Sequence, residues 1–301
     1  MKRVLVLDGG GVRGLIQTEV LKQLEEKTGK RCFELFDLIV GTSVGAIQGA
    51  LLASGKLSAN EISDVMAHTI PLMFKRRILR WPRYSRKELE KVFSEKLGVN
   101  FLMSNCQTKY ICTSVNMVDG RTHFFKSWED KDGQELLLDV VNRSYAAPLY
   151  FGAIVDDKHK SVWLDGGTGN ANCPLFEAVV ETVRQEWLGE EELHILSLGT
   201  GWSNYAMPFK RAKRVKTISQ LLFFMDPFAG GLARNQSIQS RVYKTETLAK
   251  VIPDFSFQRL DRELGKKLDI LDGVKYMPEY EDIGKNLAKD LNLLPFKSRS
   301  K

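Results

Sequence analysis

Leu38-Ile39-Val40-Gly41-Thr42-Ser43-Val44-Gly45-Ala46-Ile47 is the stretch from which the fold is read. Its opening residues are a short apolar run of the kind that forms a buried strand, and the small-residue run Ala46 to Ala53 suits a helix. Between them stands G-x-S-x-G. In the order strand, turn, helix, this motif describes a nucleophile elbow, a tight and strained turn that pushes its Ser out at the top of a sheet. Gly41 and Gly45 leave room where a Cβ would strike the adjoining strand or helix. The helix that follows points its first amides and the positive end of its dipole toward the Ser43 hydroxyl. The same motif also occurs in ordinary strand-to-helix turns, so other stretches must decide.

Upstream, Arg3 to Leu7 is a short β-rich run feeding Asp8-Gly9-Gly10-Gly11-Val12-Arg13-Gly14, and Leu15 to Lys27 has helical periodicity. Gly9, Gly11 and Gly14 match G-x-G-x-x-G, so a dinucleotide site has to be weighed. That reading wants an acidic residue at the end of the next strand, for a ribose hydroxyl. The next strand here ends in Gly41-Thr42-Ser43. An oxyanion hole is the better use, because consecutive glycines let several backbone N–H groups converge on one anion. A plain tight turn needs fewer glycines than this.

Downstream, Thr108 to Asn116 and Thr122 to Lys126 read as strands joined by a turn at Asp119-Gly120. Leu136 to Tyr145 reads as a helix stopped by Pro148. Val162-Trp163-Leu164 is a short buried strand ending in Asp165-Gly166-Gly167. Pro174 opens a helical run to Trp187, and Leu193 to Leu198 is a core strand ending in Gly199-Thr200-Gly201. Further on, Asp254 to Leu260 reads as an edge strand, flanked by helical patterns at Leu232 to Leu248 and Tyr280 to Leu291. Strands interleaved with helices predict an α/β fold with a mainly parallel sheet. Ligands of such sheets sit at the carboxyl ends of the strands, where all three Gly-rich turns fall.

The 301 residues, 43% hydrophobic and 27% charged, are ample for a sizeable core. Net charge is +7, compatible with an anionic surface or ligand. Cys32, Cys106, Cys112 and Cys173 are scattered without a C-x-x-C pair, which argues against zinc or a disulfide framework. The acidic and His residues show no metal-ligand spacing, so neither metal nor cofactor is expected. The N-terminal apolar run is too short for a signal-peptide core, and Leu38 to Ala53 falls short of the ~20 residues of a membrane span. A soluble, cytoplasmic protein is the expectation.

One segment is distinctive. From Phe74 to Lys87, the cations Lys75, Arg76, Arg77, Arg80, Arg83, Arg86 and Lys87 interleave with Ile78, Leu79, Trp81 and Tyr84. Contact with an anionic membrane is one use, and phosphate contacts plus stacking on a nucleotide another. The alternative is a solvated loop leading into a helix capped by a box of Ser85 and Glu88. A second basic run, Lys210 to Lys216, precedes the apolar stretch Leu221 to Phe228. Neither run points to duplex DNA or RNA.

A Ser nucleophile needs a group to take its proton. His68 lies in a helical pattern, His123 inside a strand, His159 in a polar turn, and His194 at the wrong end of a strand. Asp165 does follow a strand into a loop. An exposed Asp is a weak base, but partial burial raises its pKa, so a Ser–Asp dyad is chemically reasonable. Asp165-Gly166 as a mere turn is the competing reading.

Asp8-Gly9-Gly10-Gly11-Val12-Arg13-Gly14, Gly41-Thr42-Ser43-Val44-Gly45 and Asp165-Gly166-Gly167 together resemble the three blocks of patatin-like phospholipases, in matching order. Ala146-Ala147-Pro148, Asn172 with Pro174, and Ser197-Leu198-Gly199-Thr200-Gly201 resemble further blocks. The likeness is clear over residues 1–205 and loose beyond. It implies a three-layer α/β/α domain over 1–301, with its motifs in 3–205 and a helical extension over 215–295. It further implies Ser43 as nucleophile, Asp165 as base, and an oxyanion hole at Gly9, Gly10, Gly11 and Val44 with Arg13 nearby. The activity implied is a lipid acyl hydrolase on membrane phospholipid, acting at the inner membrane surface. Some bacterial members of this resemblance are switched on by cyclic nucleotides in anti-phage defence, which makes a cyclic oligonucleotide activator the alternative expectation. A non-enzymatic membrane-binding module would need the Ser–Asp pair to be idle.

Overall fold

The computed structural model describes residues 1–77, 82–204, 206 and 227–296, with the side chains of 227–233 outside the description. Arg80 and Trp81, the second basic run 210–216 and residues 221–226 of the apolar stretch therefore lie outside the described residues.

Among the described residues the sheet has eight strands: β1 (Lys2–Leu7), β2 (Leu38–Gly41), β3 (Lys109–Asn116), β4 (Arg121–Lys126), β5 (Ile154–Asp156), β6 (Ser161–Asp165), β7 (Leu193–Leu198) and β8 (Phe255–Leu260). The order is β5-β6-β3-β2-β1-β7-β8, with β4 paired to β3. Strands β3, β2, β1, β7 and β8 run parallel to one another, whereas β4 and β6 are antiparallel to β3. The central strands are covered on both faces, which is why β1 and β7 read as almost continuous apolar runs.

Helices α1 (Leu15–Thr28), α2 (Cys32–Leu35), α3 (Val44–Ala53), α4 (Ala59–Met73), α5 (Lys87–Lys96), α6 (Asp130–Gly133), α7 (Leu137–Ser144), α8 (Leu175–Arg184), α9 (Pro227–Val251) and α10 (Met277–Leu287) complete the architecture. On one face Leu5, Leu7, Ile39, Leu196 and Leu198 pack with α1, α3 and α4. On the other Val4, Val6, Leu38, Val40 and Ile195 pack with Leu175, Ala178 and Val179 of α8, and α9 adds Ile238 and Val242. Every residue of α3 is buried, consistent with its run of small and apolar side chains. Strand β8 joins the main sheet through β7, and α10 lies against α1.

Of the boundaries that differ from the sequence reading, two have a local cause. Helix α5 starts at Lys87, and Ser85 Oγ accepts from the Lys87 N–H at 3.3 Å instead of forming a capping box with Glu88. Helix α8 stops at Arg184, because Glu186 turns the chain at φ 56° and sends Trp187 back against the sheet, with Lys2 over its ring at 5.2 Å.

The arrangement around β3 positions the site. Ile111 pairs with Lys126 of β4 and Val40 of β2, while Ser114 pairs with His123 of β4 and Asp165 of β6. Since β4 takes one edge of β3, β2 and β6 share the other. Strand β2 occupies its first half, ending at Gly41 opposite Cys112, and β6 its second half, ending at Asp165 opposite Ser114. The two strands run toward each other, so their carboxyl ends meet.

Candidate active site

At the end of β2 the chain makes the expected turn. Ser43 has φ 56° and ψ −121°, a conformation that costs a residue with a side chain on the order of 1–3 kcal/mol and clusters at functional sites. The turn is closed by the Gly45 N–H donating to the Thr42 carbonyl at 2.8 Å. A Cβ on Gly45 would overlap the Leu7 carbonyl oxygen of β1, so only glycine fits there. The Ser43 N–H donates to Ser144 Oγ at 3.0 Å, which ties the turn to the end of α7.

The Ser43 hydroxyl donates to Asp165 Oδ2 at 2.7 Å. Asp165 Oδ1 accepts from the Gly167 N–H at 2.7 Å, and the Asp165 N–H is fixed on the Ala146 carbonyl at 3.1 Å. The carboxyl is only 6% exposed. Burial pushes its pKa up from 3.8 to about 6, against the pull of the Ser43 and Gly167 hydrogen bonds. Thr42 Oγ1 reaches the Ala171 carbonyl at 2.6 Å and lies 2.7 Å from Thr113 Oγ1, joining the elbow to β3.

Facing Ser43 is the turn after β1. Gly9 lies beside the Ser43 side chain, and Gly10 and Gly11 line the same cavity as Ser43 and Asp165. The N–H groups of Gly10 and Gly11 have no acceptor among the described residues. The Gly9 N–H differs from the sequence expectation: it is already donated to the Asn172 carbonyl at 2.9 Å. Val44 supplies the first amide of α3, which geometry leaves without an intrahelical partner. Arg13 is 1% exposed and faces away from solvent, donating Nε to the Gly10 carbonyl at 3.2 Å and pairing with Asp269.

The cavity holds about 270 Å3. One wall is aromatic and apolar, from Phe74, Tyr145, Pro148, Tyr150, Phe151 and Leu271. The rings of Phe74, Tyr84, Tyr150 and Phe151 form one cluster with centroids 5.0–5.9 Å apart. Thr168, Asn172 and Arg234 supply polar groups elsewhere on the wall. None of the four His lines it: His123 and His159 pair with Asp119 and Asp156 at turns, and His194 is buried against Ser256.

Of the expected basic residues, Lys75, Arg76 and Arg77 follow directly on Phe74, and the Arg77 N–H donates to the Arg83 carbonyl at 2.8 Å. That hydrogen bond puts both ends of the 77–83 segment beside the aromatic wall, where the Tyr84 N–H meets the Tyr150 carbonyl at 3.0 Å. Several residues around the site carried no individual signal in the sequence. Ser144, Thr200, Arg259, Asp261, Asp269 and Leu271 reach it from elements distant along the chain, and only Thr200 stood inside a recognisable Gly-rich turn.

A hydroxyl bonded to a buried carboxylate, facing backbone donors that lack an acceptor and lying beside an apolar wall, is a constellation suited to acyl transfer. Comparison with known proteins agrees in kind. The patatin-like phospholipase family model matches residues 5–179. A cGAMP-activated phospholipase of Vibrio cholerae is 31% identical, the match covering 68% of this chain and 66% of that protein. Another cGAMP-activated phospholipase, from Escherichia coli, is 28% identical over 68% of this chain and 64% of its own. A cUMP-AMP-activated phospholipase of Escherichia coli is 28% identical over 66% and 64%. The matched region thus spans slightly under two thirds of the length of these relatives. Fold, motif order and family match converge: the chain belongs to the patatin-like phospholipase family.

Proposed function

We propose that this chain is a lipid acyl hydrolase in which Ser43 and Asp165 form a catalytic dyad. The observation that carries the proposal is the 2.7 Å hydrogen bond from Ser43 Oγ to a buried Asp165 whose pKa is raised to about 6. Such a carboxylate is still ionised at pH 7 and is a better base than an exposed one. Ser43 Oγ attacks the ester carbonyl carbon while its proton passes to Asp165. The carbonyl oxygen takes the negative charge and is met by the Gly10 and Gly11 N–H groups, with the Val44 amide as a third donor. The tetrahedral intermediate expels the alcohol, which takes the proton from Asp165. Water then attacks the Ser43 ester by the same route, giving its proton to Asp165, and Ser43 recovers that proton as the fatty acid leaves.

The aromatic and apolar wall from Phe74 to Leu271 suits an acyl chain. Phospholipid as the substrate is supported by the names of the relatives. Exposed Leu72 and Leu149, with Lys75, Arg76 and Arg77 following Leu72 in sequence and Arg83 joined to Arg77 through its carbonyl, support peripheral docking on an anionic membrane, at its inner surface. Among the described residues no helix is long and apolar enough to cross a membrane. A second reading, activation by a cyclic oligonucleotide, is favoured by the relatives that carry such activators in their names.

The test is fatty-acid release from mixed phospholipid vesicles by wild type and Ser43→Ala, with and without a panel of cyclic dinucleotides. Release by wild type that vanishes in Ser43→Ala is expected. Release that needs one nucleotide selects the regulated enzyme, and full release by Ser43→Ala refutes the dyad. Silence throughout points to another ester or to a binding module.

A further inference from the structure

The peptide planes of the Gly9–Gly11 turn are gripped from behind by their carbonyls. The Gly9 carbonyl accepts from Thr200 Oγ1 at 2.8 Å and from Asn172 Nδ2 at 3.3 Å. The Gly10 carbonyl accepts from Arg13 Nε at 3.2 Å and from the Arg13 N–H at 3.3 Å. In a planar trans peptide the N–H points opposite to the C=O of the same unit. A bond that fixes the Gly9 carbonyl therefore fixes the direction of the Gly10 N–H, and a bond to the Gly10 carbonyl does the same for Gly11.

Thr200 presses directly on this turn, since a Cβ on Gly10 would overlap the Thr200 side chain. It is buried and does not line the cavity. It stands outside the family-matched segment, on the turn that follows β7. That turn is pinned in its own right. The Gly201 N–H donates to Asp261 Oδ1 at 2.9 Å, and the Gly199 N–H to the Leu260 carbonyl at 2.9 Å. Asp261 Oδ2 accepts from Arg259 at 2.6 Å. The same guanidinium holds both carboxylate oxygens of Asp8, at 3.0 and 2.6 Å, one residue before Gly9. Thr200 and Asp8, the two ends of the relay, thus hold successive parts of one turn, Thr200 at the Gly9 carbonyl and Asp8 one residue before it.

We propose that Thr200 is a positioning residue for the acyl-transfer reaction: its hydroxyl aims the Gly10 N–H at the developing oxyanion, and the Arg259–Asp261 pair holds Thr200 in place. The proposal rests on the Ser43–Asp165 reading above. Because Thr200 acts behind the peptide and touches no reacting atom, its loss weakens binding of the tetrahedral state and leaves ground-state binding alone.

Thr200→Val removes the hydroxyl at nearly constant volume, Thr200→Ser keeps it, and Thr200→Ala leaves open space in case Val packs badly. Each is assayed beside wild type and Ser43→Ala on a monomeric fatty-acyl ester. A trifluoromethyl ketone, whose Ser43 adduct carries an oxyanion, is titrated against each folded variant. In Thr200→Val and Thr200→Ala, kcat is expected to fall about ten-fold with KM within about two-fold, and the ketone to weaken by a similar factor, as for a partly misaligned oxyanion donor. Thr200→Ser is expected to restore most of both. Unchanged kcat in the Val and Ala variants, a loss confined to KM, or an equal loss in the Ser variant would overturn the role. Should Ser43→Ala hydrolyse the ester as wild type does, the dyad reading fails. With Ser43→Ala inactive and Thr200→Val unimpaired, only the positioning role fails.

Discussion

The turn at Gly41–Gly45 and the turn at Gly9–Gly11 face each other across one cavity, yet they are held in different ways. The elbow is fixed chiefly by its own backbone: a 2.8 Å closing bond from Gly45 to Thr42, a positive φ at Ser43, and glycine where β1 comes close. The loop is fixed largely by side chains from afar, with Asn172 and Thr200 on the Gly9 carbonyl and Arg259 on Asp8. A locally determined turn is vulnerable to changes in its own backbone-shaping residues. A remotely determined one is vulnerable at residues that never approach the substrate.

The largest effect expected is at Ser43. Ser43→Ala should lower the rate of ester hydrolysis about a thousand-fold or more while the chain remains folded by circular dichroism, since the alanine keeps the backbone bonds of the elbow. Next comes the loop's remote anchor. Arg259→Met leaves Asp8 and Asp261 without their guanidinium, and Asp8 is 1% exposed. Breaking a buried pair in this way is expected to cost about 3–5 kcal/mol in urea unfolding. If the loss is under about 1 kcal/mol, the loop is not held as described. The elbow should break from within: Gly45→Ala forces a Cβ onto the Leu7 carbonyl oxygen and is expected to cost about 1–3 kcal/mol or more, by the same measurement.

A smaller effect has the opposite sign. The folded pKa of Asp165, about 6, lies above its ordinary 3.8. The folded state therefore favours the protonated carboxyl, and ionising it costs stability as pH rises through that window. Asp165→Asn should abolish turnover yet raise unfolding stability at pH 7.5 by about 1–3 kcal/mol, with the gain vanishing near pH 4. Thermal melts at the two pH values check this. The gentlest test is the pH profile. If Asp165 is the base, kcat/KM should fall about ten-fold per unit below pH 6, and a profile flat down to pH 5 would remove it from that role.

The same contrast explains what the sequence revealed. The elbow, the β3–β4 hairpin and the strand before Asp165 are local patterns, and each is present where periodicity and turn chemistry put it. The sequence also named the two side chains that the fold brings to 2.7 Å. Thr200 and Asn172 were visible only as members of Gly-rich or Pro-flanked turns, because nothing local tells which carbonyl a side chain will meet. Arg259, Asp261 and Asp269 left no trace at all, being ordinary charged residues in a stretch without a motif. That the Gly9 amide is consumed by Asn172 could not be read either, since it depends on how two distant turns pack. At α5, the Ser85–Glu88 spacing suggests a cap, but the helix begins one residue later, with Arg86 at the cap position, and Glu88 is its second residue rather than its third.

The meeting of β2 and β6 on one edge of β3 makes Thr113 the spacer between them, and its length is a ruler for the site. Gly41 stands opposite Cys112 and Asp165 opposite Ser114, so the gap between the Ser43 elbow and Asp165 is set by a single residue of β3. The long chain that joins them in sequence does not enter into that distance. New segments could be spliced into the exposed turns at Asp119–Gly120 or Asp157–Lys158 and the pair would keep its spacing, whereas one residue added beside Thr113 would pull it apart. A family built on this layout can vary widely in the size of its outer parts while its chemistry stays in register.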